Sequence, residues 1–453
     1  MPPARRLGAS AATEAARLAH QKAQKKRDVD QRRRRFVLAT LLCMVAAIIT
    51  SLNLTLTEPI PMHTSVLTGQ GWLDELITGH PRRFEESLGM AKHVFLQLSI
   101  ELQMFHGLRD SKWITANEKL AMFLYMARTG CSTRVLQERF QHSGSTISEY
   151  IHVVLNCLTG SFYSKHVHLP PDSTPPEVKE TGKFYPYFRN ARGAIDGSHF
   201  HAWVLSRDMA RYRNRKGFIG QNVLAACNFA LLFVYVLSGW EGSASDSQVF
   251  NYARRFDFGV PAGKYYLADA GFPLCDVLMV PYRGIRYHLK EWGNARQRPR
   301  NYKELFNLRH AQLRNAVERI FGILKRRWAM FSRAPEYPAE TQAQFVSAIC
   351  ALHNFIRVHD KDDDAEYDDN HPTRPSTTRN GQPSRRESSL QDLVDNEPPE
   401  ITAEQLGFSI TNEERQRATA RRDAIAQEMW TGYKAYMLSK GIEIEEEVLP
   451  NDS

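Results

Sequence analysis

The chain has 453 residues, of which 42% are apolar and 24% charged, the balance of an ordinary folded protein. That composition excludes wholesale disorder, a collagen-like chain and a polytopic membrane protein, and the length allows about three domain equivalents. The formal net charge of +9 favours an anionic partner.

The charge is unevenly placed. Residues 1–35 hold eleven Lys/Arg against three acids, and residues 360–400 hold five against twelve. Between Arg296 and Arg327, ten Lys/Arg face two Glu. Charge runs are usually solvated faces, but a basic stretch beside an active site is a candidate phosphate track. Six cysteines (43, 131, 157, 227, 275 and 350) are scattered without a CxxC pair, most of them in apolar runs. They read as reduced thiols of a nuclear or cytosolic protein.

In chain order, residues 1–35 read as a basic flexible arm. It suits nuclear import or nucleic-acid contact. Phe36 to Thr57 is 22 residues without a charge, directly after Arg32–Arg35. Two readings stand: a single-pass membrane anchor with a cytoplasmic N-terminus, or a buried or interfacial helix. Residues 58–84, with Pro59, Pro61 and Pro81, read as a connector. Residues 85–165 place apolar side chains at three- and four-residue intervals and predict helices. Within them, Ser132–Phe140 and Ser145–Leu155 flank a short segment containing Gly144, with Ser145 as the expected N-cap. This pattern fits a DNA-binding helix-turn-helix and an ordinary helical hairpin equally.

Residues 166–188 are Pro-rich and connect. From Gly193, short apolar runs bounded by Gly, Asp and Asn predict buried strands: Ala194-Ile195, Val223–Phe229, Leu231–Leu237 and Tyr265–Ala268. Asn301–Ser332 and Gln342–Val358 predict two helices. Residues 360–411 are acidic and Pro/Ser-rich, the composition of a disordered linker. Residues 412–440 predict a last, solvated helix whose Arg421, Arg422 and Lys434 suit an acidic partner.

Three acids stand out. Asp196 and Asp269 each follow an apolar run and are expected at strand ends; Glu318 is expected in mid-helix. Each has an ordinary explanation alone: a turn-forming Asp-Gly, a strand-end Asp, an ion pair between Glu318 and Arg314 four residues earlier. Together, two carboxylates on strand ends and one on a later helix would repel one another unless a cation joins them. A hard divalent ion suits oxygen ligands, and two such ions can hold a phosphodiester and activate water.

These residues lie in a set of words that resembles PIF/Harbinger-type transposase-derived nucleases with a DDE superfamily endonuclease domain. The words are Leu136-Gln-Glu-Arg-Phe-Gln-His-Ser-Gly-Ser-Thr-Ile-Ser, Gly193-Ala-Ile-Asp-Gly-Ser-His, Gly239-Trp-Glu-Gly-Ser-Ala-Ser-Asp-Ser and Leu267-Ala-Asp-Ala-Gly-Phe-Pro. Pro281-Tyr-Arg-Gly, Phe306-Asn with His310-Ala, Val317-Glu-Arg-Ile-Phe-Gly-Ile-Leu-Lys and Ala351-Leu-His-Asn-Phe continue the order. The resemblance implies an α/β fold, a ribonuclease-H-like mixed sheet flanked by helices, over 189–358, preceded by an all-α region. It maps a catalytic and metal-binding triad onto Asp196, Asp269 and Glu318, and a further metal ligand onto Asp246, for which loop capping is an equal reading. Ser245 stands where the family has His, which weakens a local proton shuttle. The resemblance also implies Mg2+ or Mn2+ as cofactor, DNA as substrate and a separately encoded Myb-like DNA-binding partner. The sequence leaves the oligomeric state open.

Other polar residues carry two readings each. His199 suits a carboxylate-orienting or phosphate-touching role, or a structural one. Arg211, Arg213, Arg215 and Lys216, with Tyr212 among them, form a basic loop that suits nucleic acid or solvent. Arg319, Lys325, Arg326 and Arg327 suit phosphates beside the metal site, or simply a favourable helix C-terminus. Two functions follow: a divalent-metal-dependent DNA endonuclease of transposase origin, or a catalytically silent DNA-associated or protein-assembly factor that retains the fold.

Overall fold

A computed structural model describes residues 7–54, 61–287, 298–360, 400–401, 409–442 and 444. The chain divides into two units at Thr64/Ser65. The first is one helix, α1 (Leu7–Leu54). The expected break between a flexible arm and an apolar segment is absent: an alanine-rich, Lys/Arg-rich sequence has high helix propensity and runs straight into Phe36–Ile49. The apolar side chains Phe36, Leu38, Leu42, Val45 and Ile48 are all exposed. Over Glu14–Ser51, α1 is long and apolar enough to cross a membrane by length and composition.

The second unit begins with helices α2 (Gly69–Thr78), α3 (Pro81–Leu88), α4 (Lys92–Phe105), α5 (Ala116–Thr129), α6 (Thr133–Phe140), α7 (Gly144–Thr159) and α8 (Ser161–His166). The described part of the expected connector 58–84 therefore contains helix. Pro81 takes the first helical position of α3, where a missing N–H costs nothing, and Trp72, Leu73, Leu76 and Phe84 drive the segment into the core. The turn between α6 and α7 is made by Gln141 in the left-handed region (φ 57°). Ser143, not Ser145, is the N-cap, accepting from Thr146 N. The sequence of α7 contains no Lys or Arg, and its Ile147, Ile151, Val154, Leu155 and Leu158 are buried where it packs on α5 and on a later helix. That placement favours the helical-hairpin reading over a recognition helix.

After the short α9 (Pro176–Lys179) come β1 (Ala191–His201), α10 (Met209–Tyr212), β2 (Gly220–Cys227), β3 (Phe233–Glu241) and α11 (Asp246–Phe256). Then follow β4 (Val260–Pro261), β5 (Tyr265–Leu267), β6 (Leu278–Met279), α12 (Tyr302–Arg327), α13 (Ala339–His359), β7 (Glu400–Ile401) and α14 (Asn412–Ser439). Five strands form one mixed sheet in the order β3-β2-β1-β5-β6. β1, β2 and β3 are antiparallel, and β5 and β6 run parallel to β1. This is the mixed α/β sheet expected, preceded by the all-helical region. Residues alternate across it: Val223, Ala225 and Cys227 join the core under α12 and α13, while Leu224 and Ala226 join the core under α11.

Two asparagines fasten the long helices to the sheet by imitating a neighbouring strand. Asn354 of α13 accepts from Phe233 N (2.8 Å) and donates to Phe233 O (2.7 Å). Asn307 of α12 does the same to Tyr282 N (2.8 Å) and Tyr282 O (3.0 Å). His310 and His353 add Nε2 donations to Met279 O (2.9 Å) and Leu231 O (3.0 Å).

The last helix is not the solvated one expected. In α14, Met429 and Trp430 are buried, Tyr282 Oη donates to Asp423 (2.6 Å), and Glu414 takes a two-pronged pair from Arg254 (2.9 and 2.7 Å). Arg421 donates to Asp276 O (2.8 Å), and Arg422 and Lys434 lie over the Tyr282 and Trp430 rings. These cations thus have partners within their own chain. The expected linker 360–411 lies almost wholly outside the described residues.

Candidate active site

The site grows from β1. Asp196 was expected at a strand end; it lies in mid-strand, because pairing continues from Asp196 opposite Ala225 to His201 opposite Gly220. With Ala194 and Phe200 in the core under α12, the two-residue period puts Asp196 and Ser198 on the same face. There a single stripe of α12 meets them. Arg314 donates Nη2 to Asp196 Oδ2 at 2.5 Å and Nη1 to Glu318 Oε1 at 2.6 Å. Further along, Lys325 Nζ donates to Ser198 Oγ (2.7 Å) and His199 O (3.0 Å) and sits over the Phe200 ring. The ordinary explanation of Glu318, an ion pair with Arg314, is thus present, and the same guanidinium also joins Asp196. The Arg314 side chain is 8% exposed and that of Glu318 56%.

Asp269 lies two residues past β5, at the strand end as expected, and accepts from Gly271 N (2.8 Å). Asp246 opens α11, but the capping is done by Ser245, in a reciprocal box with Gln248. So Ser245 has a structural task, and Asp246 is released from capping. Its carboxylate accepts from Asn222 Nδ2 (2.8 Å) and lies over Gly197, where any Cβ would collide with it. Ser247 Oγ donates to Gly271 O (2.7 Å), tying the first turn of α11 to the Asp269 loop.

The electrostatics follow. Burial pushes the Asp196 carboxyl up to about 7, against the pull of Arg314, and Asp269 and Asp246 push the same way as burial. Burial likewise pushes the Tyr287 hydroxyl up to about 12; Arg314 opposes this, and Asp269 and Glu318 add to it. Tyr287 and Arg314 therefore share the neighbourhood of the acids, and neither is in the set picked from the sequence as ligands. Arg314 was legible as the i−4 partner of Glu318; its reach to Asp196 is tertiary. Asn222 gave no sequence signal beyond being a polar residue in an apolar strand.

Among the described residues, no three His, Cys, Asp or Glu side chains converge closely enough to hold an ion. The donor set is nonetheless chemically suited to one. It is all carboxylate, Asp196 feels Asp246 and Asp269 as repelling neighbours, and the Asp246 carboxylate rests in a cradle that only glycine leaves open. Hard divalent cations take such oxygen donors.

The remaining candidates separate. His199 Nε2 meets the Gly242 carbonyl (3.0 Å) rather than a carboxylate. Arg213, Arg215 and Lys216 are exposed, with Arg213 donating to Gly217 O (3.0 Å), and the exposed Arg211 is paired with Glu241. Arg319 and Arg326 are exposed, whereas Arg327 is 5% exposed. Burial lowers the Lys325 ammonium, and the nearby Lys216 lowers it further.

Residues 195–354 match the family described as DDE superfamily endonuclease, and residues 64–160 match a domain of unknown function, DUF8040. The chain is similar to "Protein ALP1-like" of Arabidopsis thaliana, 24% identical over 267 residues. That alignment covers 54% of this chain and 61% of the relative's length. No solved structure matches. The helical region and the acid-bearing sheet thus match separate families, and across residues 195–354 the chain carries a DDE superfamily endonuclease domain.

Proposed function

We propose that the protein is a divalent-metal-dependent DNA endonuclease of transposase origin that hydrolyses a backbone phosphodiester. The observation that carries this reading is the meeting of Asp196, Glu318 and Arg314 between β1 and α12, with Asp246 and Asp269 close enough to raise the Asp196 carboxyl. Asp196, Asp246, Asp269 and Glu318 would hold Mg2+ or Mn2+, which supplies an activated water and charge stabilisation at the leaving oxygen. Asn222 fixes the Asp246 carboxylate from one side, and Gly271 N–H fixes Asp269. Arg314 keeps Asp196 and Glu318 within reach of each other. Because Glu318 is the most exposed of this trio, it is the side chain best placed to turn from Arg314 toward a bound cation. Arg213, Arg215, Lys216, Arg319 and Arg326 supply the phosphate track. A DNA substrate fits a nuclear location, and the family resemblance suggests a Myb-like partner.

A second reading, a silent DNA-associated or assembly factor, is favoured by one observation: Arg314 already neutralises two of the acids. A nicking assay on supercoiled DNA with Mg2+ or Mn2+, with and without a Myb-like partner, separates the two. Wild type is expected to nick, and Glu318→Gln to lose roughly a thousandfold, the scale at which removing one charge-stabilising group acts. No nicking under any condition overturns the nuclease; equal nicking by the variant exposes a contaminant.

A further inference from the structure

On the outer side of the α11 start lies an open groove of about 820 Å3, lined in part by Tyr212, Leu237, Trp240, Ala244, Gln248 and Tyr252. It is built where the edge strand β3 runs beside α11. Gln248, Tyr252 and Phe256 fall at four-residue intervals on α11 and so share one helical stripe. Tyr252 and Phe256 are 43% and 54% exposed. Their rings lie 4.4 Å apart, tilted by 37°, and Trp240 meets Tyr252 edge-on at 5.1 Å. The result is an aromatic ladder on a protein surface, where large rings normally seek a core.

The ladder is next to the site and next to positive charge. Asn222 Nδ2 donates to both Ala244 O and Asp246 Oδ1, so one side chain ties the turn that lines the groove to the Asp246 carboxylate. Across the groove, Ser243 N donates to Arg211 O, which fastens the basic loop of Arg213, Arg215 and Lys216 to the same wall. Glu241, which lines the groove, is paired with Arg211, and Asp208 and Glu340 lie near Tyr212. Flat aromatic faces interleaved with cations are the chemistry of unpaired nucleotides: bases stack on rings while phosphates follow the charges. A paired duplex cannot offer base faces, and an apolar protein partner has no use for the cations.

We infer that this groove binds unpaired nucleotides flanking the cleaved phosphodiester, with Tyr252, Trp240 and Phe256 stacking bases and the 213–216 loop taking the backbone. The inference rests on the nuclease reading for its biological sense, but stacking is measured without cleavage.

The probe is an oligonucleotide duplex carrying a six-nucleotide single-stranded overhang with 2-aminopurine at its second position, compared with the blunt duplex in Ca2+. The full-length wild type is expected to bind the overhang about tenfold tighter, the scale of one or two stacked bases, and to quench the 2-aminopurine. Tyr252→Ala with Phe256→Ala is expected to erase both effects while leaving blunt-duplex affinity within twofold; Tyr252→Phe keeps them. Equal wild-type affinity for the two probes, or full preference in the double variant, overturns the groove assignment. A wild type that nicks without quenching removes this inference alone. Quenching without nicking in the separate assay removes the nuclease and leaves the groove.

Discussion

Two groups of buried polar side chains hold α12 and α13 against the sheet, and they are in opposite conditions. At the outer ends, Asn307, His310, His353 and Asn354 each meet backbone partners of complementary character, and neither asparagine carries charge. At the centre, Asp196 has a cation on one side and two repelling carboxylates on the other, and burial raises its carboxyl in spite of Arg314. Buried polar groups stabilise when satisfied and cost when charge is left unbalanced. The fastenings therefore stabilise the fold, and the unbalanced charge of the site costs it. The family words divide in the same way: Phe306-Asn, His310 and Leu352-His-Asn belong to the fastenings, Asp196, Asp269 and Glu318 to the chemistry.

The contrast is open to attack first through pH. Asp196 titrates near 3.9 in an unfolded chain and at about 7 in the fold, so between those values the folded state holds the extra proton. Stability then falls as pH rises from about 4 to 7, and the loss is complete above 7. The shift corresponds to about 4 kcal/mol at most. Metal-free wild type is expected to lose stability across that window in urea titrations, and Asp196→Asn to flatten the slope. Identical slopes would mean that the carboxyl is not in conflict at all.

The fastenings respond differently. Asn354→Ala leaves the Phe233 N–H and C=O without their side-chain partner in a buried setting. A loss of about 3 kcal/mol is expected, read as a lower urea midpoint with an unchanged slope and with no pH dependence between 4 and 8. A variant as stable as wild type would show that water or backbone rearrangement replaces the asparagine.

The sheet and the acids were legible because buried strands announce themselves as short apolar runs and because Asp196, Asp269 and Glu318 sit in recognisable words. The position of Asp196 within β1 was not, since Gly197-Ser-His looks like a turn and becomes strand only through pairing with β2. Residues 69–84 were read as connector from their prolines, although Pro81 occupies the one helical position that tolerates it. The C-terminal helix hid its packing: its buried positions include Glu414, and its arginines lie on rings and carbonyls, so charge counting mistakes an interior face for a solvated one. Arg314 was read as a local pair because its second partner lies 118 positions away.

The basic end of α12 offers the finest test, because four residues alike in composition have different surroundings. Lys325 lies on the stripe of Arg314 and Glu318 and spends its ammonium on Ser198 and the His199 carbonyl; Arg327 is buried. Arg319 and Arg326 are seven residues apart, two helical turns, and share the exposed face. Each phosphate contact contributes close to one unit to the slope of log affinity against log salt. Arg326→Ala is expected to reduce that slope by about one and to weaken duplex binding uniformly across sequences. Lys325→Ala is expected to do the reverse, lowering stability while the salt slope stays as it was, because its charge is already committed to β1. If the two variants lower the salt slope equally, Lys325 leaves Ser198 when DNA arrives, and the division between fastening and phosphate track fails at that residue.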